Sequence, residues 1–166
     1  MGSSDIAVVI SGIGQENAGR AIDELCREFG PDYVLSSGIC GGTKPYISIG
    51  DLLVADSVRY KKHEIPLACP ELERMIAFLP QNGHCHVGKF QTFDHLVTAE
   101  TYVHPDVIGV DVESYGVVAA AHQHRTPLVI VRAVSDLVFT GEFTDEGFAI
   151  ARESLDAFFR VYTRHM

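Results

Sequence analysis

Apolar positions follow two periods along the chain, and the changes between them mark the elements. Residues 5–10 (DIAVVI) are a short, β-branched apolar run and predict a buried strand. From about residue 16 to 29, Ala18, Ala21, Ile22, Leu25 and Phe29 fall on one face of a helix, which Gly30-Pro31 ends. Residues 33–36 read as a second buried strand stopping in a glycine turn, Ser37-Gly38-Ile39-Cys40-Gly41-Gly42. Residues 50–59 (GDLLVADSVR) are the next strand, 61–70 a polar loop bounded by proline, and 71–79 a short helix. A turn is expected at 80–83, a strand at 86–92, and a polar loop or short helix at 98–106.

The stretch 109–136 organises the rest. Residues 109–112 read as the end of a short strand, and 113–124 as a helix with alanines on one side. Residues 128–134 read as a buried strand that stops at Ser135-Asp136. Glu113 and Asp136 therefore end neighbouring apolar elements. In an open α/β sheet, ligands bind outside the carboxyl ends of the strands, so two acids placed there can face one small molecule. A loop around Gly141 follows, then a terminal helix over 145–163 whose inner face is Phe148, Ala151, Leu155, Phe158, Phe159 and Tyr162. The order strand, glycine turn, helix, strand gives an α/β fold: a single domain over 1–166 with a mixed twisted sheet flanked by helices.

At 166 residues and 46% hydrophobic content, the chain is long enough for one domain with a real core. A net charge of −9 argues against a nucleic-acid or anionic-membrane partner. No apolar run reaches the roughly 20 residues of a membrane span, and no signal peptide is visible, so a cytoplasmic protein is expected. Residues 1–4 read as an expression remnant. The four cysteines, Cys26, Cys40, Cys69 and Cys85, lack C-x-x-C spacing and are expected as reduced thiols. Cys85 lies between His84 and His86, but alternate strand residues point to opposite faces, so the histidines share a face that the cysteine does not. No metal site is expected.

Each acid has a plain role beside a chemical one. Asp136 is either a helix N-cap or Arg132's partner, or it recognises and protonates a base. Glu113 is either a first-turn glutamate favoured by the helix dipole or a two-oxygen acceptor for adjacent ribose hydroxyls. Asp111 is either a second ribose acid or a solvated edge residue, the latter being preferred. Arg132, inside an apolar strand, needs a partner, with Glu113 and Asp111 the candidates. The glycines at 38–42 either let a phosphate or sugar approach the backbone or simply end a strand. No G-K-[ST] follows them, which excludes a P-loop.

The run V-D-V-E-S (Val110, Asp111, Val112, Glu113, Ser114) resembles the V-[DE]-M-E-[AS] motif of the nucleoside phosphorylase and nucleosidase superfamily, in its purine-nucleoside branch. R-A-V-S-D, from Arg132 through Ser135 to Asp136, is similar to a second motif of that family. S-G-I-G at 11–14, G-x-x-G-G at 38–42 and G-D-L-L-V-A-D at 50–56 fall in family order. The resemblance implies a nucleoside phosphorylase-like fold and N-ribosyl hydrolysis of a purine nucleoside, like that of the 5'-methylthioadenosine/S-adenosylhomocysteine nucleosidases. Asp136 would act on N7 of the base, Glu113 would hold the ribose and Arg132 would position Glu113. Val112, Ser135, Leu96, Val97, Gly38 and Ile39 would line the substrate, with Leu96 at a place where an aromatic residue is common. No cofactor is implied, and a homodimer is expected. Apolar Tyr46, Ile47, Ile49 and Leu67 in loop-like stretches also point to an interface.

Two departures from the family pattern change the picture. The superfamily's phosphorylases hold phosphate with an arginine and a serine, where this chain has Ser36 and Ile39. Ile39 donates no hydrogen bond and Ser36 carries no charge, so water is the expected nucleophile. Family members also begin with an earlier strand whose glutamate activates that water. Residues 5–10 match the strand after it, so the expectation is an N-terminally shortened sheet and weak turnover, with Glu16 and Glu142 the conceivable replacements. A nucleoside-binding module without turnover is the alternative, and a phosphorylase the third reading.

Overall fold

The structure is a computed structural model and describes residues 5–79, 84–98 and 101–163. Its central strand is β6 (Leu128–Leu137). Val129, Ile130, Val131, Ala133 and Val134 on this strand are fully buried, so both of its faces are covered, and from Leu128 to Val134 its sequence is apolar except at Arg132. On one side β6 pairs in parallel with β1 (Val34–Gly42), and on the other, antiparallel, with the start of β2 (Leu52–Tyr60). β4 (Cys85–Thr92) lies parallel to β2, and β5 (Val107–Asp111) parallel to β4. β5 then meets β1 antiparallel at Gly41 and Gly42, which closes the mixed sheet into a ring.

Among the described residues, four helices cover the sheet. α1 (Gln15–Phe29) and α3 (Ser114–His124) pack on the face of β6 that carries Leu128, Ile130 and Val134. α2 (Pro70–Phe78) and α4 (Asp145–Tyr162) pack on the face that carries Val129, Val131 and Ala133. α1 and α3 meet through glycine: a Cβ on Gly116 would stand 1.9 Å from the Gln15 carbonyl oxygen, and one on Gly19 would stand 3.1 Å from that of Gly116. Only residues without side chains let these two helices approach so closely. The α/β single-domain architecture, with a mixed sheet flanked by helices, is as expected. None of the described helices is long and apolar enough to cross a membrane.

Five local expectations are corrected. Residues 5–10 form no strand; Val8 is 83% and Ile10 95% exposed. A strand needs an edge to pair with, and this segment has no ladder partner among the described residues. The glycine turn at 37–42 is the second half of β1, which runs straight through it. β6 likewise continues through Ser135 and Asp136. The polar loop at 61–70 contains β3 (His63–Pro66), hairpin-paired to β2 beyond a left-handed Lys61 (φ 54°). On α4, Ala151 and Phe158 are buried but Phe148 is 45% exposed. The first turn of α4 approaches the sheet with Gly147, where a Cβ would be 2.2 Å from the Ser135 carbonyl, and Phe148 turns outward.

Of the loop residues expected at an interface, Ile47 is buried and Leu67 packs on the core, while Tyr46 and Ile49 are exposed. Phe29, expected on the inner face of α1, is 54% exposed. The expectations for residues 1–4 and 80–83 lie outside the described residues.

Candidate active site

Asp136 owes its place to a bulge. The β1–β6 register runs Cys40 to Val134 and then Gly41 to Asp136, leaving Ser135 as the extra residue. A bulge re-aims the side chains around it. Here the Ser135 hydroxyl lies 2.7 Å from Asp136 Oδ1 and donates to it, with the Cys40 carbonyl farther off at 3.3 Å. Gly41 passes so close that a Cβ there would be 3.1 Å from Asp136 Oδ2. The carboxylate is half-buried at the joint C-terminal end of two parallel strands. The following helix is capped by Thr144, whose hydroxyl accepts from Gly147 N at 3.0 Å, so that task does not fall to Asp136.

Beside it lies a buried polar network centred on Asp111. Its Oδ1 accepts from the Thr92 hydroxyl at 2.9 Å and from Ser114 N at 3.1 Å. Its Oδ2 accepts from the Ser114 hydroxyl and from Arg132 Nε at 3.3 Å. Arg132 also donates to the Ser36 carbonyl at 3.1 Å, to the Ser36 hydroxyl and, at 3.1 Å, to Ser114 Oγ. Gly38 lies over the guanidinium, where a Cβ would be 3.7 Å from Arg132 Nε. One expectation is thereby revised: Asp111 is buried, not a solvated edge residue. Of the two candidate partners of Arg132, Asp111 is the one that holds it. The reason is register: Arg132 and Asp111 both project to the α3 side of the sheet, and Asp111 sits one residue before the chain leaves it.

Glu113 occupies the N-cap position of α3 but makes no cap bond to its own helix. Its Oε1 accepts instead from Gly14 N, the N-cap of α1, at 2.9 Å. Gly14 has φ 93°, a conformation open to glycine, and the Gly19–Gly116 contact brings the two helix starts together. The positive end of the α1 dipole thus faces the carboxylate. A recess of about 280 Å³ opens here, lined by Ile13, Gly14, Asn17, Phe93, Asp94 and Val112. Its rim is tied by Asp94, which accepts from Gln15 Nε2 at 2.7 Å and from the Tyr60 hydroxyl at 2.8 Å.

Burial first, then the Asp111 charge, push the Cys40 thiol well above the ordinary value; Arg132 opposes this and Asp136 adds to it.

The other expected residues divide. Ser135 and Val112 adjoin the acids, and Val97 packs with Val107, Val110 and Val138 beside β5. Leu96 is 78% exposed. Ile39 packs with Val129, Val131 and Ala133 on the opposite face of the sheet from Arg132. Glu16 pairs with Arg20 at the surface, and Glu142 is exposed beside its bridge to Leu137. His84 Nδ1 and His86 Nε2 share a face, as alternation required, and lie 2.9 and 3.0 Å from the two oxygens of Asp51. Ser114 and Gly14 stand inside runs already noted in the sequence; Thr92 carried no signal of its own.

A sequence model of the phosphorylase superfamily matches residues 1–160. The chain is 30% identical over 159 residues to a 5'-methylthioadenosine/S-adenosylhomocysteine nucleosidase from Hydrogenovibrio crunogenus, covering 80% of this chain and 68% of that protein. It is 26% identical over 191 residues to the enzyme of the same name from Aeromonas salmonicida, covering 99% of this chain and 79% of that one. Its fold is similar to the crystal structure of the Neisseria meningitidis nucleosidase in complex with methylthio-immucillin-A. That match has a TM-score of 0.82 at 22% identity, covering 95% of this chain and 80% of the other, longer one.

Proposed function

The chain belongs to the phosphorylase superfamily, and within it we propose that it is a purine-nucleoside N-ribosyl hydrolase acting on 5'-methylthioadenosine or S-adenosylhomocysteine. The observation that carries this reading is the arrangement of its acids. Asp136 stands half-buried on a bulge at the strand ends, and Glu113 is anchored on Gly14 beside an open recess. Asp111 and Arg132 lie buried against each other.

Asp136 donates a proton to N7 of the base, and the electrons of the breaking C1'–N9 bond pass to the purine. The ribose becomes cationic, and water adds at C1' and releases a proton to solvent, from which Asp136 is reprotonated, so nucleoside and water become free base and free sugar. Glu113 accepts hydrogen bonds from the 2'- and 3'-hydroxyls. A carboxylate has about four acceptor sites, and Gly14 takes one. Its charge favours the cationic sugar most in the transition state. Leu96, Val97, Val112 and Ser135 lie with the base and ribose in this reading.

Water is the nucleophile rather than phosphate. The Arg132 guanidinium is taken up by Asp111, Ser114 and Ser36, and Ile39 packs on the other face of the sheet. Incubation with 5'-methylthioadenosine, with and without phosphate, tests the reading. Adenine and free methylthioribose are expected in both. A ribose 1-phosphate product would make the protein a phosphorylase, and binding without adenine release would make it a nucleoside-binding module.

A homodimer goes with this reading, since Tyr46, Tyr102, Phe139 and Phe143 are each more than half exposed. Light scattering is expected to give twice the 18.2 kDa chain mass, and a mass of one chain would refute it. A cytoplasmic location fits four free cysteines, and cell fractionation tests it.

A further inference from the structure

Resting on the reading of Glu113 as the ribose acceptor, we infer that Asp111 is a positioning residue that fixes where Glu113 points and touches no substrate itself. A carboxylate has about four acceptor sites. At Asp111 the Thr92 hydroxyl, Ser114 N, the Ser114 hydroxyl and Arg132 Nε supply four donors, and the side chain is buried. No lone pair is left for a sugar hydroxyl.

Those bonds act on the start of α3. Ser114, its first residue, is held at both its amide and its hydroxyl. The next amide, Tyr115 N, donates to Thr92 Oγ1 at 3.0 Å, and Thr92 itself donates to Asp111. Arg132 donates to both Asp111 and Ser114, tying the pair to β6. Glu113 lies between Asp111 and Ser114 in the chain, so its backbone is pinned on both sides by buried bonds. From that fixed backbone its carboxylate accepts from Gly14 N at 2.9 Å. A network serving stability alone would hold the helix as a whole without setting where Glu113 points.

The Gly14 amide reports the direction of Glu113 whether or not the protein turns over a nucleoside. The test compares Thr92→Val, which keeps the shape but removes the hydroxyl, with Thr92→Ser, which restores it, both in the full chain. Amide exchange by NMR is expected to be at least about tenfold faster at Gly14 in Thr92→Val, roughly one hydrogen bond's worth. Exchange within α3 at Val118 and Ala121 is expected to stay unchanged, and Thr92→Ser is expected to restore Gly14. Alongside, the preference in kcat/KM for ribonucleoside over 2'-deoxyribonucleoside is expected to fall in Thr92→Val and return in Thr92→Ser. Unchanged Gly14 exchange, or faster exchange throughout α3, would overturn the inference. So would an equal loss for both nucleosides. If the unaltered protein releases no base, the nucleosidase reading fails, and Gly14 exchange still decides whether Asp111 directs Glu113.

Discussion

Residues 5–10 and 128–134 look alike in the sequence: both are short apolar runs followed by small or polar residues. In the fold they are opposites. The second run is the fully buried centre of β6, paired on both edges and leading into Ser135 and Asp136. The first lies outside the sheet with Val8 and Ile10 almost wholly exposed. An apolar run becomes a strand only where an edge receives its backbone, and hydrophobicity alone does not say whether one is there. The candidate site draws on both regions. Asp136, Asp111 and Arg132 stand on the buried sheet, while Gly14, at the end of the exposed segment, holds Glu113.

The largest expected effect belongs to the buried region. Asp111→Ala leaves the Arg132 guanidinium without its carboxylate, and removing one member of a buried ion pair costs about 3–5 kcal/mol. Ile10→Ser in the exposed segment is expected to stay within about 0.5 kcal/mol of the unaltered protein. Urea unfolding of both variants checks the contrast, and similar losses would erase it.

Next comes the joint between the regions. Gly116→Ala drives a methyl into the Gln15 carbonyl, so α1 must move off α3. Overpacking of this kind costs about 1–3 kcal/mol. The Gly14–Glu113 bond should weaken with it, read as faster Gly14 amide exchange. A fully stable variant with Gly14 still protected would mean that the helices can slide without disturbing the site.

The smallest effect is a pH dependence within the buried region. Burial disfavours the Asp51 carboxylate, but Ser48 N, His84 and His86 outweigh it and hold its pKa below the ordinary value. Asp51 and Gly50 also exchange backbone hydrogen bonds with Val134, next to the bulge. A depressed folded pKa stabilises above the unfolded value, about 3.9, and the gain is lost as pH falls through the folded value. Asp51→Asn should therefore lower the Tm most near neutral pH, with the difference shrinking below about pH 4. A difference that does not vary with pH would show that the charge plays no part.

Much of this was legible in the sequence where local rules decide. The period of α1 and α3, the buried run of β6 and the place of Glu113 at the start of α3 all follow from side-chain spacing. The shared face of His84 and His86 follows from strand alternation. What was hidden depends on distant partners. Asp111 read as solvated because nothing local shows that Thr92, Ser114 and Arg132 converge on it. Glycines 41 and 42 read as a turn because close packing against Val110, Val138 and Ile47 calls for the same residue as a bend. Asp136 read as lying beyond its strand because the bulge at Ser135 exists only in the pairing with β1.

If Asp136 hands a proton to the base, Asp136→Asn removes that step while keeping the shape of the side chain. The amide still hydrogen-bonds but has no acidic proton to give. Adenine release from 5'-methylthioadenosine should fall by about 100-fold or more, the usual range for losing a general acid. Nucleoside binding by calorimetry should stay within about tenfold, roughly 1.4 kcal/mol. Adenine release at the unaltered rate would contradict this role and leave Asp136 as a structural residue of β6.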